Sequence, residues 1–151
     1  TYPGEALSPK QAFVLAEHYR EAAHLLLERA QGKNAMARAP FRLCAIHAIE
    51  LYLNAMLLHQ GWRAADIRGL QHNLADRLDR LTGVRFRKLT QEHIRTLVQT
   101  REYLTSRYAP DRMKTASEVN RLTATLDQVA QKASETLKLA PLNVGVSGIS
   151  R

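Results

Sequence analysis

Apolar residues recur at the three- and four-residue spacing of amphipathic helices over almost the whole chain, and no run alternates with the period of a strand. The first helix is announced by Ser8, Pro9 and Gln11: an N-cap, a proline at the first helical position and a glutamine three residues after the cap. It is predicted to run to about Ala30, with Ala12, Leu15, Tyr19, Ala22, Ala23, Leu26 and Ala30 inward and Glu17, Arg20, Glu21, His24 and Glu28 in water. A second helix starts near Pro40 and stops at Gly61, placed as a C-terminal cap. From Phe41 to Leu58 it is apolar nearly all round, which marks the central helix of a bundle, and His47, Glu50 and Asn54 form its polar line.

Residues 62–69 read as a loop with Trp62 and two arginines. A short helix around Leu74 to Leu81 follows, then a basic turn from Gly83 to Lys88. Thr90 is predicted to cap the next helix, which ends before Pro110 because the residue ahead of a proline avoids helical geometry. Thr115 and Glu118 suit a capping box for the last helix, whose seam is Val119, Leu122, Leu126, Val129, Ala133 and Leu137. The expected fold is all-α: an antiparallel helical bundle of four long helices plus one short helix. It is a single domain over 8–139 followed by a flexible C-terminal tail over 140–151.

A length of 151 residues suits one domain, able to bury roughly 70% of its unfolded surface. The single Cys44 excludes an internal disulfide and fits a reducing compartment. Glu50 and Asn54 interrupt the longest apolar run, so no membrane span is expected and the cytoplasm is the expected location. Net charge is +8, and its distribution is uneven. Residues 62–112 hold eleven basic and six acidic side chains, so five of the eight excess charges lie in the middle third. Such a bias suits phosphate-bearing partners.

Arg101 interrupts a hydrophobic stripe. Ile94, Leu97, Val98, Leu104, Thr105 and Tyr108 recur at helical spacing, and Arg101 falls near the middle of that face. A guanidinium facing a core needs a carboxylate, and Glu50 on the central helix is the candidate partner. The two form either a phosphate-gripping pair or a structural ion pair that sets helix register. His47, one turn before Glu50, could meet the same carboxylate.

The order of CAIHAIELYLNAMLLHQG, QHNLADRLDRL and REYLTSRYAPD resembles the HEPN family, helical domains of higher eukaryotes and prokaryotes first described as nucleotide-binding. The resemblance covers roughly residues 8 to 135. It implies a helical bundle that pairs as a homodimer, often a metal-independent endoribonuclease, and in some members a toxin coupled in a toxin–antitoxin pair to a nucleotidyltransferase partner protein. The family's signature is an Arg followed after four to six residues by a His, with an acidic residue on the central helix helping to position the Arg. Here Arg101 and Glu50 match the Arg and the acid, but Ser106, Arg107 and Tyr108 stand where the His belongs. None of the three exchanges a proton near neutral pH as imidazole does.

The expected function is therefore that of a HEPN-like protein binding RNA or a nucleotide without cleaving it. Its ligand-binding residues would be Arg101, Arg107, Arg112 and Glu50, with Arg101, Glu50, His47 and Tyr108 as the catalytic candidates should activity exist. An active endoribonuclease and a purely structural or regulatory dimerisation module are the alternatives. The resemblance implies that the HNL string caps the short helix and packs beneath the site, so His72 is expected to serve structure. Arg85, Arg87 and Lys88 around Phe86 are expected to form a solvated turn with the ring folded inward. No HxxxH or CxxC spacing appears, so no metal is expected, and no cofactor.

Overall fold

The computed structural model describes residues 5–100 and 116–142. Within them lie α1 (Pro9–Ala30), a single 3-10 turn (Ala35–Ala37), α2 (Arg38–His59), α3 (Ala64–Arg68), α4 (Leu74–Arg80), α5 (Lys88–Gln99) and α6 (Ala116–Leu137). The protein is all-α and bundle-like: α1 and α2 pack antiparallel with α6 alongside, and among the described residues there is no strand. Arg101, Ser106, Arg107, Tyr108, Arg112 and Thr115 fall outside the described residues, as does most of the expected tail.

Helix boundaries follow local chemistry. Ser8 and Gln11 form the expected capping box, each side chain taking the other's backbone N–H at 3.1 and 2.9 Å. At the other end of α1, Arg38 turns back to donate to the carbonyls of Ala30 and Gly32 at 3.0 and 2.8 Å, which fixes the hairpin between α1 and α2. Gly61 ends α2 at φ +96°, with Trp62 N–H reaching Leu57 O at 3.0 Å and Gly61 N–H reaching Leu58 O at 3.1 Å. That double closure needs a left-handed residue, which glycine supplies without a steric penalty.

α2 is the central helix, packed on α1 and α6 with α3 and α4 at its C-terminal half. Ile49, Tyr52, Leu53 and Met56 are sealed from solvent in one cluster with Phe13 of α1 and Leu122, Leu126 and Val129 of α6. The seam read for α6 holds, with Leu137 half-buried at its end. Phe86 is folded inward, and Arg85, Arg87 and Lys88 are exposed around it.

Four expectations change. The inner face of α1 is rotated: Leu15 is 41% exposed whereas Glu17 is 1% exposed, because Phe13 and Tyr52 pack edge-on and draw the 13–16–17 side of the helix into the core. Residues 62–69 contain a helical turn, α3, where Asp66 in the first turn bonds Arg63 at 3.0 Å and also favours the helix dipole. Thr90 does not cap α5: the helix begins at Lys88 with Arg87 at the cap position, and Thr90 is buried within the first turn. Finally, Ala35–His59 is, by length and a mean hydropathy of 1.4, apolar enough to cross a membrane despite Glu50 and Asn54, although 67% of its most apolar window is buried inside the bundle. A core helix with that much burial meets the same length and hydropathy criteria as a membrane span.

Candidate functional site

The polar line of α2 divides between two neighbours. His47 faces α1, where its ring meets Tyr19 edge-on at 4.5 Å between centroids. Glu50 and Asn54, further along the helix, face the segment from α3 to α4. The imidazole that meets Glu50 is therefore His72, with Nδ1 and Glu50 Oε1 3.0 Å apart. His72 thus meets the carboxylate for which His47, one turn earlier on α2, was the expected imidazole.

His72 precedes Asn73, whose side chain accepts the Asp76 N–H at 2.9 Å and so caps α4. The HNL string thus caps the short helix as expected, and it also places the imidazole on the carboxylate. One turn into α4, Arg77 points back across the cap to α2. Its Nε donates to Asn54 Oδ1 at 2.7 Å and its Nη1 to the Asn73 carbonyl at 3.1 Å. Arg77 is only 3% exposed. Burial pulls its guanidinium below the ordinary arginine pKa, an effect that the nearby Glu50 and Asp76 carboxylates oppose. The group stays charged at any physiological pH.

These residues line an open cleft of about 520 Å³ between α2 and the α3–α4 segment. Its polar wall is Glu50, Asn54, His72 and Arg77; Leu58 and Ile67 give it apolar sides, and Arg68 stands exposed at the rim. Of the residues singled out from sequence, the cleft contains Glu50 but not His47. Arg77, Arg68 and Asn54 were not anticipated as site residues. The available signal for Arg77 was Asn73 and Arg77 one turn apart at the start of a helix only seven residues long. Arg42, fully buried on α2, is another arginine in an apolar run that the sequence reading passed over. Among the described residues no three His, Cys, Asp or Glu side chains converge as a metal site would require.

A second polar cluster lies between α1, α2 and α6 and has no access to solvent at its centre. Tyr52 donates a very short hydrogen bond to Glu17, and both are buried. Arg20 and His24 reach Asp127 of α6 at 3.0 and 2.9 Å. Burial pushes the Tyr52 phenol up, reinforced by the Glu17 carboxylate, which keeps it a hydrogen-bond donor. For Asp127, burial alone would raise the pKa, but His24 and Arg20 outweigh it and hold the carboxyl below its ordinary value.

That direction fixes a pH response. A carboxylate whose folded pKa is depressed adds stability above its unfolded pKa, about 3.9 for Asp, and loses it as pH falls through the folded value. Asp127→Asn should be less stable than wild type at pH 7 and should lose less stability on passing from about pH 5 to below pH 3. Denaturant unfolding at the two extremes checks this, and an identical acid loss in both proteins would refute it.

No protein-family model, curated protein or solved structure matches the chain.

Proposed function

We propose that this chain is a HEPN-like helical protein that binds RNA or a nucleotide at the cleft between α2 and the α3–α4 segment, and does not cleave what it binds. The observation that carries the reading is Arg77, a buried guanidinium lining a solvent-open cleft beside Glu50. Maintaining a buried cation is costly, and its retention at a cavity wall suits recognition of an acceptor group on a ligand. The exposed Arg68 at the rim and the basic excess over residues 62–112 suit the phosphates of the same ligand. Arg101, Arg107 and Arg112 extend this set on the strength of the sequence alone, as do a two-fold homodimer and a nucleotidyltransferase partner.

Binding of a labelled single-stranded RNA tests the proposal. Affinity should fall steeply between about 50 and 200 mM salt, because each neutralised phosphate releases counterions. Arg68→Ala should reduce the slope of log affinity against log salt by about one contact, roughly 0.7. An RNA affinity that is absent, or indifferent to salt, would leave the cleft a structural feature of a helical dimerisation module.

A further inference from the structure

We propose that the cleft is a guanine pocket: one guanine base, free as a nucleotide or unpaired in RNA, enters with its pairing edge toward Arg77 and Glu50. This deepens the nucleotide-binding reading and rests on it. The pattern of donors and acceptors at the wall is what selects the base. Arg77 spends Nε on Asn54 and Nη1 on the Asn73 carbonyl, which leaves Nη2 without an acceptor among the described residues while the side chain lines the cleft. With that N–H left to donate, a ligand oxygen in the cleft would gain a charge-assisted hydrogen bond from Arg77. Glu50 meets His72 through Oε1, and Oε2 meets no donor among the described residues. An ionised carboxylate accepts at about four lone-pair positions, so this wall offers a donor beside a multiple acceptor.

The pairing edge of guanine is complementary to that arrangement. Its O6 accepts, and its N1–H and N2–H groups donate side by side, one for Arg77 and two for the carboxylate. Adenine and cytosine each present a single amino donor beside a ring acceptor, so either would leave one carboxylate position unmet. Uracil presents one N–H between two oxygens, and the second oxygen would face the carboxylate. Specificity arises chiefly from such unmet or opposed groups in a site held rigid by its own hydrogen bonds. Leu58 and Ile67 supply apolar surface for the ring faces, and Arg68 at the rim is placed for the phosphate.

The test is calorimetric titration of the full chain with GMP, IMP, AMP, CMP and UMP. Inosine lacks only the N2 amino group, so the GMP to IMP ratio isolates the second donor. GMP should bind more tightly than AMP, CMP or UMP by on the order of tenfold or more, with IMP between. Glu50→Gln, nearly isosteric, should bring GMP and IMP together. A short single-stranded RNA carrying one G, set against the same RNA with A in its place, asks whether the base is taken from RNA, and preference in either arm supports the pocket. Equal affinity for all the nucleotides and both RNAs overturns the guanine assignment while leaving phosphate binding standing. Binding of none of them overturns both. A guanine preference unchanged in Glu50→Gln removes Glu50 from the pocket and overturns the assignment.

Discussion

Glu17→Ala is expected to destabilise the protein by about 3–5 kcal/mol, the range for removing one partner of a buried charged network. Glu17 lies on α1, buried, and holds together three otherwise separate parts of the chain. It accepts from Tyr52 of α2, and its other oxygen takes the Leu142 N–H at 2.5 Å, from the segment after α6. Arg20 completes the set at 3.9 Å. Truncation to alanine leaves a sealed phenol with no acceptor, which costs about 1–3 kcal/mol, and removes the ties to Arg20 and to the N–H of the exposed Leu142. Tyr52→Phe removes the hydroxyl but leaves the carboxylate its other partners, so it should cost less, about 1.5–3 kcal/mol. The double variant should cost less than the sum of the two, since their shared hydrogen bond can be lost only once. Denaturant midpoints at constant slope measure all three, and a Glu17→Ala variant within about 0.5 kcal/mol of wild type would discard the network as a stabilising feature.

Glu17 also shows where sequence reading stops. Helical periodicity located α1, α2 and α6, because caps such as Ser8, Gln11 and Gly61 act within one or two turns and are written locally. The rotation of α1 about its axis was not legible. A glutamate at a helical position defaults to solvent, and the partners that draw this one inside lie far along the chain, Tyr52 thirty-five residues away and Leu142 beyond α6. The same holds for the cleft. Glu50 stood out because it breaks an apolar helix, whereas Arg77 reads as one more arginine in a short charged helix until Asn54 is brought against it across 23 residues. His47 and Glu50 share a helix face in sequence, yet α1 takes the first and the α3–α4 segment takes the second. Neighbour choice of this kind is a property of packing and leaves no local trace. The resemblance placed its weight on Arg101, which lies outside the described residues, so the described part of the site rests on Glu50 together with residues that only the fold assembles.

RNA incubated with the protein in chelator is expected to remain intact, even under conditions where it is bound. General acid–base assistance contributes roughly a hundred- to ten-thousand-fold to such reactions, and the position where the resembling family carries its imidazole holds Ser106, Arg107 or Tyr108 here. Cationic groups can still stabilise charge on a phosphate, but without a group that exchanges protons near neutral pH that stabilisation leaves cleavage close to background. Arg101→Ala should accordingly weaken RNA binding in a folded protein and change the cleavage rate little. Rapid metal-independent cleavage by the wild type, abolished in Arg101→Ala, would falsify the non-catalytic reading and call for another proton carrier. The geometry then ranks the candidates. His72 comes first, because Glu50 fixes its Nδ1 and a carboxylate-oriented imidazole is the usual arrangement of a general base. His47, packed against Tyr19 of α1, comes after it, and Tyr108 last, since an ordinary phenol holds its proton until far above neutral pH. Loss of cleavage in His72→Ala with RNA binding retained would place the proton transfer at the cleft wall itself.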